Sequence, residues 1–246
     1  MIRYSKPRVI ALIAIVAVLW AAVSCPHPDI FQSDDGLVVL AEGGRLTVYA
    51  LGKVSLSPSS DEDIHVRTDS GEHILTEGRL ALDEDGDVVI LIPQGITAVR
   101  VNGEGGASAS DLQLHSLSLS AVSGHVGARS IDADEVRLTT VSGDISADGI
   151  SAASFHGDTT SGDMSLGGSI GECKANSISG DVSLTLESTA TVVDVSTVSG
   201  DITIDVDDVE SYTLDLSEGS QGTSTRQGSG EGLISCTTVS GKLIIS

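Results

Sequence analysis

The chain is 246 residues long and carries 13 Lys plus Arg against 35 Asp plus Glu, a formal net charge of −22. The stretch from Met1 to Ser24 contains no acid, so the remainder holds 10 bases against 35 acids; a surface of that sign repels phosphate backbones and excludes nucleic acid as a partner. Beyond Ser24 the aromatics are Phe31, Tyr49, Phe155 and Tyr212, too few for a surface that stacks sugars or bases.

The N-terminus has three parts. Met1 to Arg8 is polar and basic, with Arg3, Lys6 and Arg8, and Val9 to Val23 is an unbroken apolar run. A spanning helix needs about 20 apolar residues, whereas this shorter run suits the core of a signal peptide. Ala21-Ala22-Val23-Ser24-Cys25 then resembles the lipobox of bacterial lipoproteins, with Ala22 where leucine is usual. In that family the cysteine receives diacylglycerol and becomes the mature N-terminus. The expectation is a signal peptide over 1–24, lipidation at Cys25, a linker over 25–36 and a domain held outside the cytoplasm on a membrane. An ordinary secretory signal and an uncleaved anchor are the competing readings.

Residues 37–106 read as a β-rich N-terminal cap with the first coils. Leu46 to Ala50 and Ile64 to Arg67 alternate apolar and polar residues, the period of a strand with one buried face. Leu80-Ala81-Leu82 and Val88 to Ile92 flank Asp83-Glu84-Asp85-Gly86-Asp87. Asp-Gly between apolar runs predicts a hairpin, and Pro93 ends its second strand.

From residue 107 to 246 one phrase recurs: apolar, Ser, Gly, usually Asp, apolar. Its glycines are Gly124, Gly143, Gly162, Gly180, Gly200 and Gly241, spaced 19, 19, 18, 20 and 41. The last gap reads as two periods with one degenerate turn, and it holds a Gly/Ser-rich stretch, 217–232, that reads as a surface loop. Lined up on the glycine, four columns are apolar. Seven positions before it stand Leu117, Val136, Phe155, Cys173, Val193 and Ile234; five before, Leu119, Leu138, Gly157, Ala175, Val195 and Cys236. Two and four after it stand Val126 and Ala128, Ile145 and Ala147, and so on to Leu243 and Ile245. Val198, two before its glycine, is expected inside, and Ser196 outside.

Gly, Ser, Thr, Val and Asp dominate the repeat, and these form helices poorly. A meander gives no reason for like residues to return at one period, whereas a solenoid stacks each coil on the last and buries the same columns. The fold predicted is all-β: a single-stranded parallel β-helix of about 19–20 residues per coil, right-handed by the usual crossover preference. Cys173 and Cys236 then lie about three coils apart, roughly 14 Å at the strand spacing. That is beyond disulfide reach, so both are expected to be free buried thiols.

The leader, the strand ending at Ile92-Pro93 and the repeated Val-Ser-Gly-Asp-Ile phrase together resemble one bacterial family, the β-strand-repeat envelope proteins called "putative adhesins". The resemblance covers Leu37 to Ser246 and implies a β-helix with no established catalytic activity; no cofactor is expected. His125 and Lys242 depart from it at the usual Asp position.

The residues show little chemistry. Gly167-Gly168-Ser169-Ile170-Gly171 fits G-x-S-x-G, but a nucleophile elbow needs a helix after the strand, and no helical pattern follows. The six histidines are scattered without metal-ligand spacing. Asp83, Asp85 and Asp87 alternate as in a calcium loop, with the glycine misplaced for an EF-hand. Asp144, Asp163, Asp181 and Asp201 should form a ladder, each carboxylate bonding backbone N–H groups at its own corner. The function expected is a non-catalytic, lipid-anchored envelope module presenting an acidic rod to an unknown partner. A polysaccharide-active β-helix enzyme and a calcium-stabilised repeat are the alternatives.

Overall fold

The computed structural model describes residues 36–187, 190–206, 212–218, 223–227 and 231–245. The leader, Cys25 and almost all of the linker lie outside them. The described residues are all-β, without a helix.

β1 (Leu37–Glu42) and β2 (Arg45–Ala50) pair antiparallel across Gly43-Gly44, both at positive φ. β3 (Val54–Pro58) turns onto a second face, and β4 (Ile64–Thr68) and β5 (Gly71–Leu75) form an antiparallel hairpin. β6 (Gly78–Leu82) then pairs with β1, while β7 (Val88–Ile92) pairs with β3 and β4. The hairpin expected across Asp83–Asp87 is therefore not formed. Gly86 stacks under Gly52, whose missing Cβ would lie 2.0 Å from the Gly86 carbonyl oxygen. The Asp-Gly segment is a corner of the solenoid that carries the chain between faces, and stacking contacts outweigh the local turn preference.

From β8 (Ala98–Gly103) and β9 (Ala107–Ser110) onward the coils are parallel and in register. β10 (Gln113–Ser123), β11 (Val126–Ser142), β12 (Ile145–Ser161) and β13 (Met164–Ser179) are long strands that wrap from one face to the next. β14 (Val182–Leu186), β15 (Val192–Ser199) and β16 (Ile202–Val206) complete the next turns. The segments just before the Ser-Gly corner, with β2, β8 and β15, make face A; those just after it, with β3, β7, β9, β14 and β16, make face B. A second corner holds Asp111, Ser130 and Gly149 at φ 57, 51 and 62, the left-handed region that Asp tolerates better than most residues.

The four apolar columns point inward as expected. Leu117, Val136, Phe155, Cys173, Val193 and Ile234 are at most 2% exposed. Leu243 and Ile245 are only half-buried because their coil ends the stack. Gly157 fits its column through a size trade: a Cβ there would meet Met164 Sδ at 2.9 Å and the Phe155 ring at 3.1 Å.

One expectation about the interior is corrected. Val198 is half-buried on the outer side of face A, with Ser196. The inward residue is Thr197, 1% exposed, because alternation from Val193 and Val195 passes through 197. An unforeseen buried column follows: Thr140, Thr159, Ser177, Thr197 and Thr238, each at most 1% exposed. The hydroxyls of Thr140, Thr159, Thr197 and Thr238 donate to the carbonyl oxygens of Gly124, Gly143, Gly180 and Gly200 at 3.1–3.4 Å. Ser177 stands in the same column with its Oγ buried and unpartnered.

The C-terminal end departs most from the sequence reading. β17 (Tyr212–Glu218) and β18 (Thr223–Gln227) form an antiparallel hairpin, so part of the expected Gly/Ser-rich loop is a strand. β19 (Gly232–Ser240) slots between β15 and β17, parallel to both, and β20 (Leu243–Ile245) stacks on β16. The last gap thus contains no intervening coil: Gly241 sits directly on Gly200. The chain uses β17 as a terminal cap and inserts the well-formed Val-Ser-Gly coil beneath it. Cys173 and Cys236 are consequently two coils apart rather than three, about 10 Å along the axis. Both are free and buried, and burial pushes each thiol up to about 12.

Candidate interaction surface

The corner is built from the glycines upward. Gly124, Gly143, Gly162, Gly180, Gly200 and Gly241 form one continuous column, and the structure extends it through Gly105, Gly52 and Gly86. At Gly143, Gly162, Gly180, Gly200 and Gly241 a Cβ would lie 1.9–2.1 Å from the carbonyl oxygen of the glycine below. No side chain fits there, so the spacing that marks the repeat is a steric requirement. Gly52, Gly86 and Gly105 lack the flanking Ser and escaped the sequence reading, although Gly86 carries an Asp after it.

Beside the glycines runs the aspartate ladder. Asp144 Oδ1 accepts the backbone N–H of Asp163 at 2.9 Å, Asp163 that of Asp181 at 2.9 Å, and Asp181 that of Asp201 at 2.7 Å. Asp201 accepts from Lys242 at 2.8 Å, and Asp87 accepts from Lys53 at 3.2 Å at the other end. The partners belong to the next coil rather than to the same corner. Each carboxylate is an inter-coil staple, using a charge-assisted bond worth about 1.5–3 kcal/mol when intact. At the position without an Asp, His125 Nε2 lies 2.9 Å from Ser146 Oγ, and its ring covers the open side of Gly127.

Face B presents a flat outer row of small hydroxyl side chains. Ser55 pairs with Ser108, Ser146 with Ser165, Ser165 with Ser183, and Ser183 with Thr203. Face A carries a polar line outside. His156 Nε2 contacts Asp158 at 2.9 Å, Asn176 donates to Asp158 at 2.9 Å, and Ser196 donates to Asn176 at 2.8 Å. Burial raises the Asp158 carboxyl, but bonds from His156 and Asn176 and the nearby Arg137 charge outweigh it and hold the group below its usual value.

At the N-terminal end the β4–β5 hairpin carries a charged cluster. His65 Nε2 lies 2.9 Å from Asp61 and Nδ1 3.1 Å from Glu72, which also accepts from Arg67 at 2.9 Å. Asp61 is the main cause that raises His65. Ser59 and then His65 lower Asp61, and Arg67 and then His65 lower Glu72. An open groove of about 500 Å³ lies where Ile92-Pro93 meets Asp111–Leu114. Ser169 of the G-x-S-x-G match lies within strand β13, opposite Ser151. Among the described residues, no group of three or more His, Cys, Asp or Glu side chains converges as a metal site.

A filled parallel solenoid with flat polar faces defines a β-solenoid module. The model of the Toastrack family, DUF4097, a domain of unknown function, matches residues 48–241, and the chain belongs to that family. A crystal structure of a "putative adhesin" from Bacteroides fragilis is similar at 12% identity and TM-score 0.50, covering 84% of this chain and 94% of that one. That likeness shows the fold alone. No curated protein matches the chain.

Proposed function

We propose that the protein is a non-catalytic binding module of the bacterial envelope, lipid-anchored through Cys25, that presents the outer faces of an acidic rod for adhesion or scaffolding. The observation that carries this is the filled interior. Buried apolar side chains form one cluster through the length of the solenoid, leaving a ligand the flat faces, the ends and the open groove beside Ile92-Pro93. Flat faces suit extended macromolecular partners, whereas small-molecule sites are concave. The lipobox-like leader supports the anchor, and the structural neighbour's description as an adhesin supports the role.

Two measurements test it. Cells fed a labelled fatty acid should incorporate label into the wild-type chain and not into Cys25→Ser, and the intact mass should begin at Cys25. Cells carrying the chain should be retained several-fold more than cells lacking it on a surface coated with envelope fragments of the same organism. Absence of label from the wild type sinks the anchor; equal retention sinks the binding role.

A further inference from the structure

The side of the solenoid between the second corner and face A is open at one place. There Gln113 and Leu114 stack on Asp132 and Ala133 of the next coil, and Asp132 donates its backbone N–H to the Leu112 carbonyl oxygen at 3.0 Å. In a parallel ladder with that bond, Leu112 and Leu114 turn bonding groups toward β11. Gln113, between them, turns its N–H and C=O toward the preceding coil. In the coils that follow, a strand fills the equivalent place: Asp132 is matched by Gln113, Ser151 by Asp132 and Ser169 by Ser151. At the level before Gln113 the chain makes a turn instead, closed by the Ile96 N–H on the Pro93 carbonyl oxygen at 3.1 Å. It rejoins the ladder at Thr97, whose carbonyl oxygen accepts from His115 and Ser116, and β8 pairs with β10 from Ala98 onward. Among the described residues Gln113 therefore has no backbone partner on that side.

The strand that is missing leaves the groove of about 500 Å³ described above. Its floor is apolar: Ile92, Ile96 and Leu112 are buried, and Leu114 is half-buried at its edge. A more open extension of about 220 Å³ runs past Gln113 and Leu114 to Asp132 and Asp134. An open backbone edge above an apolar floor accepts an extended peptide as an added strand. Main-chain bonds hold the peptide, and alternate side chains enter the floor. Charge then selects the peptide. Asp111, Asp132 and Asp134 line the groove and its extension, and no Lys or Arg does; His115 stands against Asp134. The chain's own residues 26–35 carry three Asp and no Lys or Arg, so the groove repels the linker that precedes Gly36.

We infer that this groove binds an extended basic segment of a partner protein, in which Lys or Arg alternates with apolar residues. The segment lies beside Gln113, accepting from its N–H and donating to its C=O. An apolar side chain enters against Ile92, Ile96 and Leu112. The residues on either side of it point outward, as Gln113 does, and bring their cations to Asp111 and Asp132. The inference rests on the binding role proposed above and gives that role a site and a partner class.

The experiment is a titration of the full chain in detergent with labelled synthetic peptides, read by fluorescence anisotropy. The probe is acetyl-Lys-Val-Lys-Val-Lys-Val-Lys-amide. Two controls keep its charge: a block isomer with the four Lys before the three Val, and a form with every amide nitrogen methylated, which cannot donate. The wild-type chain should bind the probe saturably and each control about tenfold more weakly, as the loss of one or two directed hydrogen bonds implies. Gln113→Pro removes the donor that faces the groove and keeps the bonds to β11, a place on an open edge where proline is tolerated. It should weaken the probe about tenfold at an unchanged unfolding midpoint. Asp111→Asn with Asp132→Asn should weaken it several-fold and flatten its salt dependence; Asn tolerates the positive φ of residue 111. Equal binding of the probe and either control by the wild type overturns the inference, because charge alone would then suffice, and that comparison needs no variant to fold. Absence of saturable probe binding overturns it too. If cells carrying the chain are still retained on envelope fragments in that case, the binding role stands and the groove alone is lost.

Discussion

The hydroxyl of Tyr212 accepts the backbone N–H of Ala190 at 2.9 Å across the strand that separates them. Tyr212 belongs to the capping hairpin and Ala190 to the coil below, and β19 passes between. The passage is possible because residue 232 is glycine: a Cβ there would lie 2.6 Å from the Tyr212 ring and 3.0 Å from the Ala190 carbonyl oxygen. One bond thus closes the C-terminal end over the inserted coil.

Gly232→Ala should therefore lower stability by about 1–3 kcal/mol through overpacking, read from chemical unfolding. Tyr212→Phe leaves the Ala190 amide without its partner and should cost about 1–3 kcal/mol. Because both act at one latch, the double variant should fall short of the sum by more than about 0.5 kcal/mol; strict additivity would show that the latch does not exist.

The glycine column predicts a contrast between two glycines. Gly162→Ala places a Cβ 2.1 Å from the Gly143 oxygen at φ +149, so two coils must part; a loss of about 3 kcal/mol or more is expected from strain and broken ladder bonds. Gly95→Ala meets nothing within 4 Å and should change stability by less than about 0.5 kcal/mol. Equal unfolding midpoints would refute the steric account of the corner.

Inside and outside exchange places at 197 and 198. Thr197→Asp should cost several kcal/mol, on the order of 3–5 kcal/mol, because it buries an unpaired charge, while Val198→Asp on the outer side should cost under about 1 kcal/mol. Urea denaturation of both variants decides it, and the reverse order would restore the inward assignment of Val198.

The aspartate staples are tested by Asp163→Ala and Asp163→Asn. The alanine strands the Asp181 amide and should cost about 1–3 kcal/mol; the asparagine keeps an acceptor and should cost less than half as much. Because one oxygen of each Asp already holds an amide of the next coil, millimolar calcium should raise Tm no more than sodium at matched ionic strength. A calcium-specific rise above about 5 °C would show the ladder coordinating the ion, which needs about 6–8 oxygens.

The His65 cluster predicts a pH window. His65 is raised by Asp61 and Glu72, so its contribution is complete below its ordinary value near 6.5 and fades as pH rises through the higher folded value. Asp61 and Glu72 are lowered, so theirs is complete above the ordinary carboxylate range and fades as pH falls through the lower folded values. The β4–β5 hairpin should be best protected from amide exchange at mildly acidic pH. His65→Gln should abolish the loss on the alkaline side and leave the acidic side in place; an unchanged alkaline loss would remove His65 as its cause.

The amino-acid sequence by itself determined the stack. A glycine returning at a near-constant spacing, with apolar columns at fixed offsets from it, has one economical solution, because a parallel solenoid alone brings like residues into contact. The columns through Val136, Leu138, Ile145 and Ala147 were legible for that reason, while the separation of the two thiols was overcounted by a coil and stays beyond disulfide reach at two. What only the tertiary structure decided lies where local and stacking preferences compete. Asp85-Gly86 reads as a hairpin turn in isolation, yet the close fit of Gly52 on Gly86 makes it a corner. Thr197 and Val198 are both apolar enough for a core, and only alternation anchored at Val193 and Val195 chooses between them. The order β15, β19, β17 could not be read along the chain, since pairing between distant strands is set by which segment fits the interior.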